Sequence, residues 1–242
     1  MQESAIRFYQ TGTWTVGTRL LDPTDRTVQS SQERHNALNS GHRACQGCGE
    51  ALGARYAVDA AFAATNGQII ATNATGCLEV FSTPYPESAW QLPWFHSLFG
   101  NTAAVATGLA AAARVKARKK GGEAVRILAL GGDGGTTDIG FGCLSGMFER
   151  NDDVLYICFD NEAYMNTGIQ KSSLTPFGAS TTTTPAGKRE HGCLTQKKSL
   201  FDIVAAHRIP YAATASVGYL NDFIKKAERA RDIKGTRFIH VL

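Results

Sequence analysis

The stretch "VRILALGGDGGTTDIGFGCLSGMFERNDDVLYICFDN", residues 125–161, contains two apolar runs joined by a glycine-rich turn and an amphipathic segment. The runs "VRILAL" and "DVLYICFD" have the length and composition of strands that are buried on both faces, and the residues between them have helical apolar spacing. A strand–helix–strand unit joins strands that run parallel. The stretch therefore predicts an α/β fold with a mostly parallel sheet and helices on both faces.

Polar residues follow each of these two strands. In "GGDGG", residues 131–135, the glycines let backbone N–H groups approach a phosphate at a helix N-terminus. Asp133 in the same loop would repel a phosphate unless a divalent cation lay between them. Asn161 follows the next strand and offers a second oxygen at the same edge of the sheet. The pattern predicts a Mg²⁺ site shared by Asp133 and Asn161.

The remaining chain alternates between helical and extended patterns. A helix is predicted over residues 50–65, a strand over 68–72 and a helix over 101–120, the last with Asn101 as its N-cap. Residues 1–40 have weak periodicity and are predicted to be an N-terminal extension or arm. Residues 41–242 are predicted to form one domain.

Composition excludes several classes of function. The net charge of +4 comes from scattered cations rather than a basic stripe, which argues against nucleic-acid binding. No signal peptide opens the chain, and the most apolar segment, residues 103–113, is too short to span a membrane. A cytoplasmic protein that does not associate with membranes is expected.

Cys45 and Cys48 stand two residues apart in "GHRACQGCGE", residues 41–50. In a reducing compartment such a pair is more often a metal site or a catalytic pair than a disulfide. Half of a zinc site and a thioredoxin-like redox pair are both open at this point. A zinc site would call for a second CxxC or CxxH, which the sequence lacks.

The tripeptide GDG, followed by 26 residues and then Asn161, resembles the cofactor motif of thiamine diphosphate enzymes. Four further segments, "GHRACQGCGE", "NATGC", "PYPESAWQLPWFHSLFGN" and "TPFGASTTTTPAGK", extend the resemblance over residues 41–242. Together they resemble the beta subunit of the 2-oxoacid:ferredoxin oxidoreductases of the pyruvate type. The resemblance implies the thiamine diphosphate-binding fold. It also implies oxidative decarboxylation of a 2-oxoacid, with pyruvate favoured, to acyl-CoA and CO₂, with electrons passing through a [4Fe-4S] cluster to ferredoxin.

The resemblance also assigns site residues. It implies that Mg²⁺ is held by Asp133, Asn161 and the backbone carbonyl of Ala163. The other residues it implies at the cofactor are Glu50, Cys77, Gly132, Gly134, Gly135, Glu162, Tyr164 and Asn166. Of these, Glu50 and Asn166 are expected to be catalytic.

Cys45, Cys48 and Cys77 match three of the four cluster ligands. The fourth ligand of the family follows the strand that "TRFIHVL", residues 236–242, resembles. The sequence is therefore expected to be truncated after Leu242, with Cys193 as the alternative ligand.

The resemblance further implies a multisubunit complex. An alpha subunit would supply the glutamate that activates thiamine, and gamma and ferredoxin-like delta subunits would serve coenzyme A and ferredoxin. Two alternatives stay open: a non-redox thiamine-dependent lyase or synthase subunit, and a zinc-bound assembly module without enzymatic activity. The identity of the 2-oxoacid, the direction of catalysis and the subunit stoichiometry are not determined by the sequence.

Overall fold

The computed structural model describes residues 37–84 and 88–242, and a parallel sheet lies at the centre of this part of the chain. Its strands are β1 (Ile69–Ala74), β2 (Trp94–Ser97), β3 (Arg126–Gly132), β4 (Val154–Phe159), β5 (Tyr211–Ala215) and β6 (Arg237–Val241). Their order across the sheet is β2-β1-β3-β4-β6-β5, and every neighbouring pair is parallel. The predicted α/β class is confirmed. The predicted N-terminal extension lies outside the described residues as far as residue 36.

Helices cover both faces of the sheet, as predicted. They are α1 (Gly49–Ala64), α2 (Cys77–Ser82), α3 (Thr102–Lys120), α4 (Asp133–Thr137), α5 (Phe141–Glu149), α6 (Leu200–Ala206) and α7 (Leu220–Asp232). Residues of α1, α2 and α7 share one buried cluster, and residues of α3, α5 and α6 share the other. None of the helices in the described ranges has the length and apolar character needed to cross a membrane.

Successive side chains of β3 lie on opposite faces of the sheet, which explains why residues 127–130 are all apolar. Leu128 and Leu130 belong to the cluster beneath α1 and α7, whereas Ile127 and Ala129 belong to the cluster beneath α3 and α5. All four side chains are buried. Because both faces of the sheet are covered by helices, none of the four positions from Ile127 to Leu130 is left for a polar side chain.

Two local details differ from the sequence prediction. Asn101 makes no side-chain cap for α3, and a 3₁₀ turn at Phe99–Asn101 leads into that helix instead. The predicted helix after β3 is broken into α4 and α5 around Gly140. A Cβ built on Gly140 would lie 2.7 Å from the carbonyl oxygen of Gly100, so the two backbones pass too closely for any larger residue.

The packed region includes residues that the sequence assigns to the extension. Ala37 and Leu38 are completely buried in the cluster that contains α1. The backbone N–H of Ala37 donates to the Asp59 carboxylate at 2.7 Å, and Leu38 bridges to Trp90. Residues 37–40 therefore pack with the domain.

The register of the sheet brings three chain segments to one edge. Gly132 of β3 pairs with Phe159 of β4, and Phe159 pairs with Val241 of β6. The residues that follow β3 and β4 therefore leave the sheet side by side, at its carboxyl edge. This is the edge where open parallel sheets bind ligands.

Truncation of a central core residue tests this packing. We expect Leu128→Ala to lower the free energy of unfolding by about 2–5 kcal/mol, because the side chain is completely buried and its removal leaves a cavity. The matched control is Leu194→Ala, since Leu194 is 66% exposed; its effect should stay within about 0.5 kcal/mol. Urea denaturation of the full chain measures both, and equal losses would contradict the assignment of Leu128 to the core.

Candidate functional site

Two adjoining cavities open at the carboxyl edge of the sheet. The first, here called the glycine cavity, is lined by the loop after β3, by residues 161 and 163–167, and by Phe99 and Ile139. The second, here called the thiol cavity, has a volume of about 490 Å³ and is lined by residues that include Cys45, Cys48 and Leu242. The residues that line both cavities are Glu50, Cys77, Asn161, Met165 and Asn166.

The glycine loop forms the floor of the first cavity. Asp133 begins α4 directly after β3 and is 2% exposed, with one carboxylate oxygen accepting a hydrogen bond from the Ser172 hydroxyl. Gly132, Gly134 and Gly135 line the same cavity. A Cβ built on Gly134 would overlap the ring of Tyr164. Glycine is therefore required at position 134 by the close approach of Tyr164, and the approach of a phosphate to this loop stays a prediction.

Asn161 presents an oxygen that no protein group satisfies. Its amide nitrogen donates to the Glu50 carboxylate at 3.0 Å, which leaves the side-chain oxygen buried and without a hydrogen-bond partner. An unsatisfied buried polar atom costs about 1–3 kcal/mol and calls for an explanation such as a bound ion. The carbonyl of Ala163 is buried nearby and accepts one hydrogen bond, from Met165, which leaves its second lone pair available.

The glycine cavity is acidic. Burial raises the pKa of Glu50 to about 7, against the opposing effect of its hydrogen bond from Asn161. Burial likewise raises the pKa of Asp133 to about 7, although the hydrogen bond from Ser172 lowers it. Arg43 is the one Lys or Arg side chain among the described residues that line either cavity. Carboxylate, amide and carbonyl oxygens without a protein cation are the donor set that suits Mg²⁺.

Three thiols surround the second cavity. Cys45 is exposed, whereas Cys48 and Cys77 are partly buried. The Cys48 sulfur caps α1 by accepting from the backbone N–H of Ala51 at 3.4 Å, and Cys77 is the first residue of α2. Burial raises the pKa of Cys77 to about 12, and nearby Glu50, Cys48 and Cys45 add to the effect. These three thiols thus lie within electrostatic range of one another.

The three thiols line one cavity without converging on a single point. Within the described part of the chain, no three His, Cys, Asp or Glu side chains converge as the ligands of one metal ion would. In an iron–sulfur cluster each thiolate binds its own iron, so the ligands surround the cluster rather than meet at one point.

Cys193 does not join this group. Its side chain is completely buried, and its sulfur lies 3.4 Å from the carbonyl oxygen of Thr195. It lines neither cavity. Packing beneath the segment after β4 therefore separates Cys193 from the three thiols and removes it as the alternative fourth ligand.

Most residues that the resemblance assigns to the cofactor come together, with one exception. Tyr164 and Asn166 line the glycine cavity, but Glu162 lines neither cavity. The Glu162 carboxylate accepts a hydrogen bond from Lys197 at 3.2 Å instead. The backbone of Glu162 has a φ of 69°, in the left-handed region that residues with a side chain seldom adopt.

Several residues around the site escaped the sequence analysis. Ser172 contacts Asp133 from a segment 39 residues further along the chain. Lys197 and His240 both contact Asp160, whose side chain has no exposed surface. Of these four residues, only Asp160 could have been found from the sequence, because it directly precedes Asn161. The other three reach the site only through long-range folding.

Comparison with known proteins agrees with this geometry. Residues 74–241 match the family model described as thiamine pyrophosphate enzyme, C-terminal TPP binding domain. The pyruvate synthase subunit PorB of Methanocaldococcus jannaschii is 54% identical over 212 residues, which cover 86% of this chain and 70% of the relative. The ketoisovalerate oxidoreductase subunit VorB of Pyrococcus abyssi is 49% identical over 203 residues, covering 84% and 64%.

A solved structure has the same fold. The 2-oxoglutarate:ferredoxin oxidoreductase of Magnetococcus marinus, with 2-oxoglutarate, coenzyme A and succinyl-CoA bound, superposes with a TM-score of 0.69 at 23% identity. The match covers 85% of this chain and 65% of that one. The fold, the glycine cavity and the sequence relatives agree: the chain belongs to the family of thiamine diphosphate-binding beta subunits of the 2-oxoacid:ferredoxin oxidoreductases.

Proposed function

We propose that this chain carries thiamine diphosphate and Mg²⁺ in a pyruvate:ferredoxin oxidoreductase, which converts pyruvate and coenzyme A to acetyl-CoA and CO₂. The observation that carries the proposal is the buried oxygen of Asn161, which has no hydrogen-bond partner among the described residues and belongs to a residue that lines the same cavity as Asp133. A protein that had no cation to bind there would lose stability by leaving this atom unsatisfied.

Different residues of the glycine cavity are proposed to bind the metal ion and the diphosphate. Asp133, Asn161 and the carbonyl of Ala163 would hold Mg²⁺, and the backbone of Gly132, Gly134 and Gly135 would lie against the diphosphate. Thiamine diphosphate supplies the carbon nucleophile for the 2-oxo group and accepts the electron pair that the departing CO₂ leaves behind. The chain would position the cofactor and provide the electrostatic environment in which that chemistry takes place.

Glu50 and Asn166 are the residues proposed to act nearest the reacting groups. Both line the glycine cavity and the thiol cavity, so they stand where a cofactor in one would face an acceptor in the other. Glu50 fixes the orientation of the Asn161 amide through its hydrogen bond and thereby directs the free oxygen into the site. Phe99 and Ile139 add apolar side chains to the lining of the glycine cavity.

Cys45, Cys48 and Cys77 are proposed to hold a [4Fe-4S] cluster in the thiol cavity, with a fourth ligand from outside the described residues. A cluster there would adjoin the glycine cavity, because Cys77 lines both. Electrons from substrate oxidation would then leave through the cluster towards ferredoxin. A thiamine lyase that performs no redox chemistry has no use for three thiols in this place, which favours the redox function.

Further subunits complete the proposed enzyme. PorB and VorB are both named as subunits, and the Magnetococcus enzyme binds coenzyme A. We propose an alpha subunit that supplies the glutamate for thiamine activation, together with gamma and ferredoxin-like delta subunits.

Pyruvate is the favoured substrate because a PorB relative is 54% identical to this chain, but a ketoisovalerate-type relative is 49% identical. The substrate prediction is therefore tested directly. The purified complex should reduce a viologen dye with a higher kcat/KM for pyruvate than for 2-ketoisovalerate, in the presence of coenzyme A. A higher kcat/KM for the branched substrate would assign the chain to the ketoisovalerate enzymes.

Removal of the unpartnered oxygen tests the cofactor site. We expect Asn161→Ala to weaken Mg²⁺-dependent binding of thiamine diphosphate about tenfold or more, because one metal ligand is lost. Isothermal titration of the complex measures this binding. Asn221→Ala on the exposed face of α7 is the control and should bind as the unmodified protein does. Unchanged binding in Asn161→Ala would remove Asn161 from the metal site.

Iron analysis tests the thiol cavity. We expect Cys45→Ser, Cys48→Ser and Cys77→Ser each to lower the iron and acid-labile sulfide of this subunit and the visible absorbance that 2-oxoacid plus coenzyme A bleaches. Cys143→Ser, in α5 on the other face of the sheet, should keep the full iron content. Anaerobic purification with the associated subunits is required. A thiamine-loaded complex whose iron is the same in all four variants would contradict the cluster assignment.

A further inference from the structure

The segment between β4 and α6 touches both loops that carry the predicted metal ligands. We call residues 132–138 the Asp133 loop and residues 160–164 the Asn161 loop, and residues 171–198 the bridging segment. Near its start, Ser172 contacts Asp133 and Thr175 donates to the carbonyl of Glu162 at 2.6 Å. Near its end, Lys197 and Lys198 contact the two loops again. The bridging segment therefore contacts both the Asp133 loop and the Asn161 loop, once near its start and once near its end.

Lys197 holds the Asn161 loop on both sides of Asn161 itself. Its ammonium lies 2.8 Å from the Asp160 carboxylate and 3.2 Å from the Glu162 carboxylate. Asn161 is the residue between these two acids. Movement of the Asn161 backbone would therefore break at least one of the two ion pairs.

Asp160 is the buried anchor of this arrangement. Its side chain has no exposed surface, and it accepts from His240 at 3.0 Å and from the backbone N–H of Glu162 at 3.0 Å, in addition to Lys197. Glu162 adopts a φ of 69°, a conformation that is strained for a residue with a side chain. The hydrogen bond from Glu162 to Asp160 helps to hold that strained turn, which in turn fixes the direction of Asn161.

Lys198 holds the other loop. Its ammonium donates to the carbonyl of Thr137 at 2.9 Å and lies 3.3 Å from the Asp138 carboxylate. Consecutive lysines thus reach the Asn161 loop and the Asp133 loop. Their shared backbone sets the separation between the two loops.

We propose that Lys197 is a positioning residue for the metal site: its ion pairs with Asp160 and Glu162 place the Asn161 oxygen opposite Asp133. The proposal rests on the proposed binding of Mg²⁺ and thiamine diphosphate. The ion pair with Asp160, whose side chain has no exposed surface, is weak evidence for a role in stability, because apolar replacement of both partners of a buried pair is often neutral for folding. A charged lysine that contacts both neighbours of a predicted metal ligand fixes the position of that ligand.

Binding of Mn²⁺, used as a paramagnetic substitute for Mg²⁺, tests the proposal. Free Mn²⁺ is measured by electron paramagnetic resonance during titration of the complex at saturating thiamine diphosphate. We expect Lys197→Met to raise the Mn²⁺ dissociation constant about tenfold, the size of effect seen when partners of metal ligands are removed. Lys197→Arg, which keeps the charge, should recover most of the affinity. Lys188→Met is the matched control, since Lys188 is an exposed lysine of the same segment.

The possible results distinguish a failure of the proposed function from a failure of the proposal on Lys197. If the unmodified complex does not bind Mn²⁺ with thiamine diphosphate, the proposed function itself fails. If it binds and Lys197→Met binds equally well, Lys197 has no positioning role and this inference is overturned. A lower unfolding temperature with an unchanged Mn²⁺ dissociation constant would assign Lys197 a purely structural role and would also overturn it.

A milder variant covers the case in which Lys197→Met does not fold. Lys197→Gln keeps a hydrogen-bond donor but removes the charge, and it should raise the Mn²⁺ dissociation constant in the same direction. Lys198→Met provides a second measurement on the Asp133 loop. Unmodified affinity in Lys197→Gln would contradict the inference.

Discussion

Parallel pairing of β3 with β4 is the constraint on which the site depends. Gly132 and Phe159 are partners in the register, so Asp133 and Asn161, each within two residues of these partners, leave the sheet side by side. Strands that ran antiparallel would send the two residues to opposite edges. Helices on both faces bury these strands, which makes the pairing and its register strongly determined.

The buried carboxylates of Asp160 and Asp133 lie at this edge, and their pKa values are shifted in opposite directions. Burial alone would raise the pKa of Asp160, but the hydrogen bonds from His240 and Lys197 outweigh that effect and hold the pKa below its ordinary value. Asp133 has a hydroxyl partner in Ser172, and its pKa rises to about 7 because burial prevails. The protein thus neutralises the carboxylate that anchors a loop and leaves a neighbouring carboxylate for a ligand. A site that binds a divalent cation requires this difference, since a resident lysine at Asp133 would compete with the metal.

The cysteines illustrate how far local sequence information extends. The spacing of Cys45 and Cys48 places both thiols at the start of α1, and the resemblance adds Cys77, which the fold brings to the same cavity from α2. Cys193 lies in the polar stretch "GKREHGCLTQKK", yet its side chain is completely buried. Its burial follows from packing between distant segments, and polarity in a short stretch of sequence does not report such packing.

Local sequence signals were enough to predict the sheet and the edge at which the candidate site lies, because continuous apolar runs, glycines and turn residues indicate buried parallel strands and close backbone approach. The sequence also predicted that Asp133 and Asn161 would lie together, since parallel strands end at a common edge. Only the tertiary structure decided that Glu162 turns away to Lys197, that Ser172 contacts Asp133 and that Asp160 is held by His240. These contacts join residues that lie 35, 39 and 80 positions apart. Such pairings arise from the packing of the whole chain, and no local pattern in the sequence encodes them.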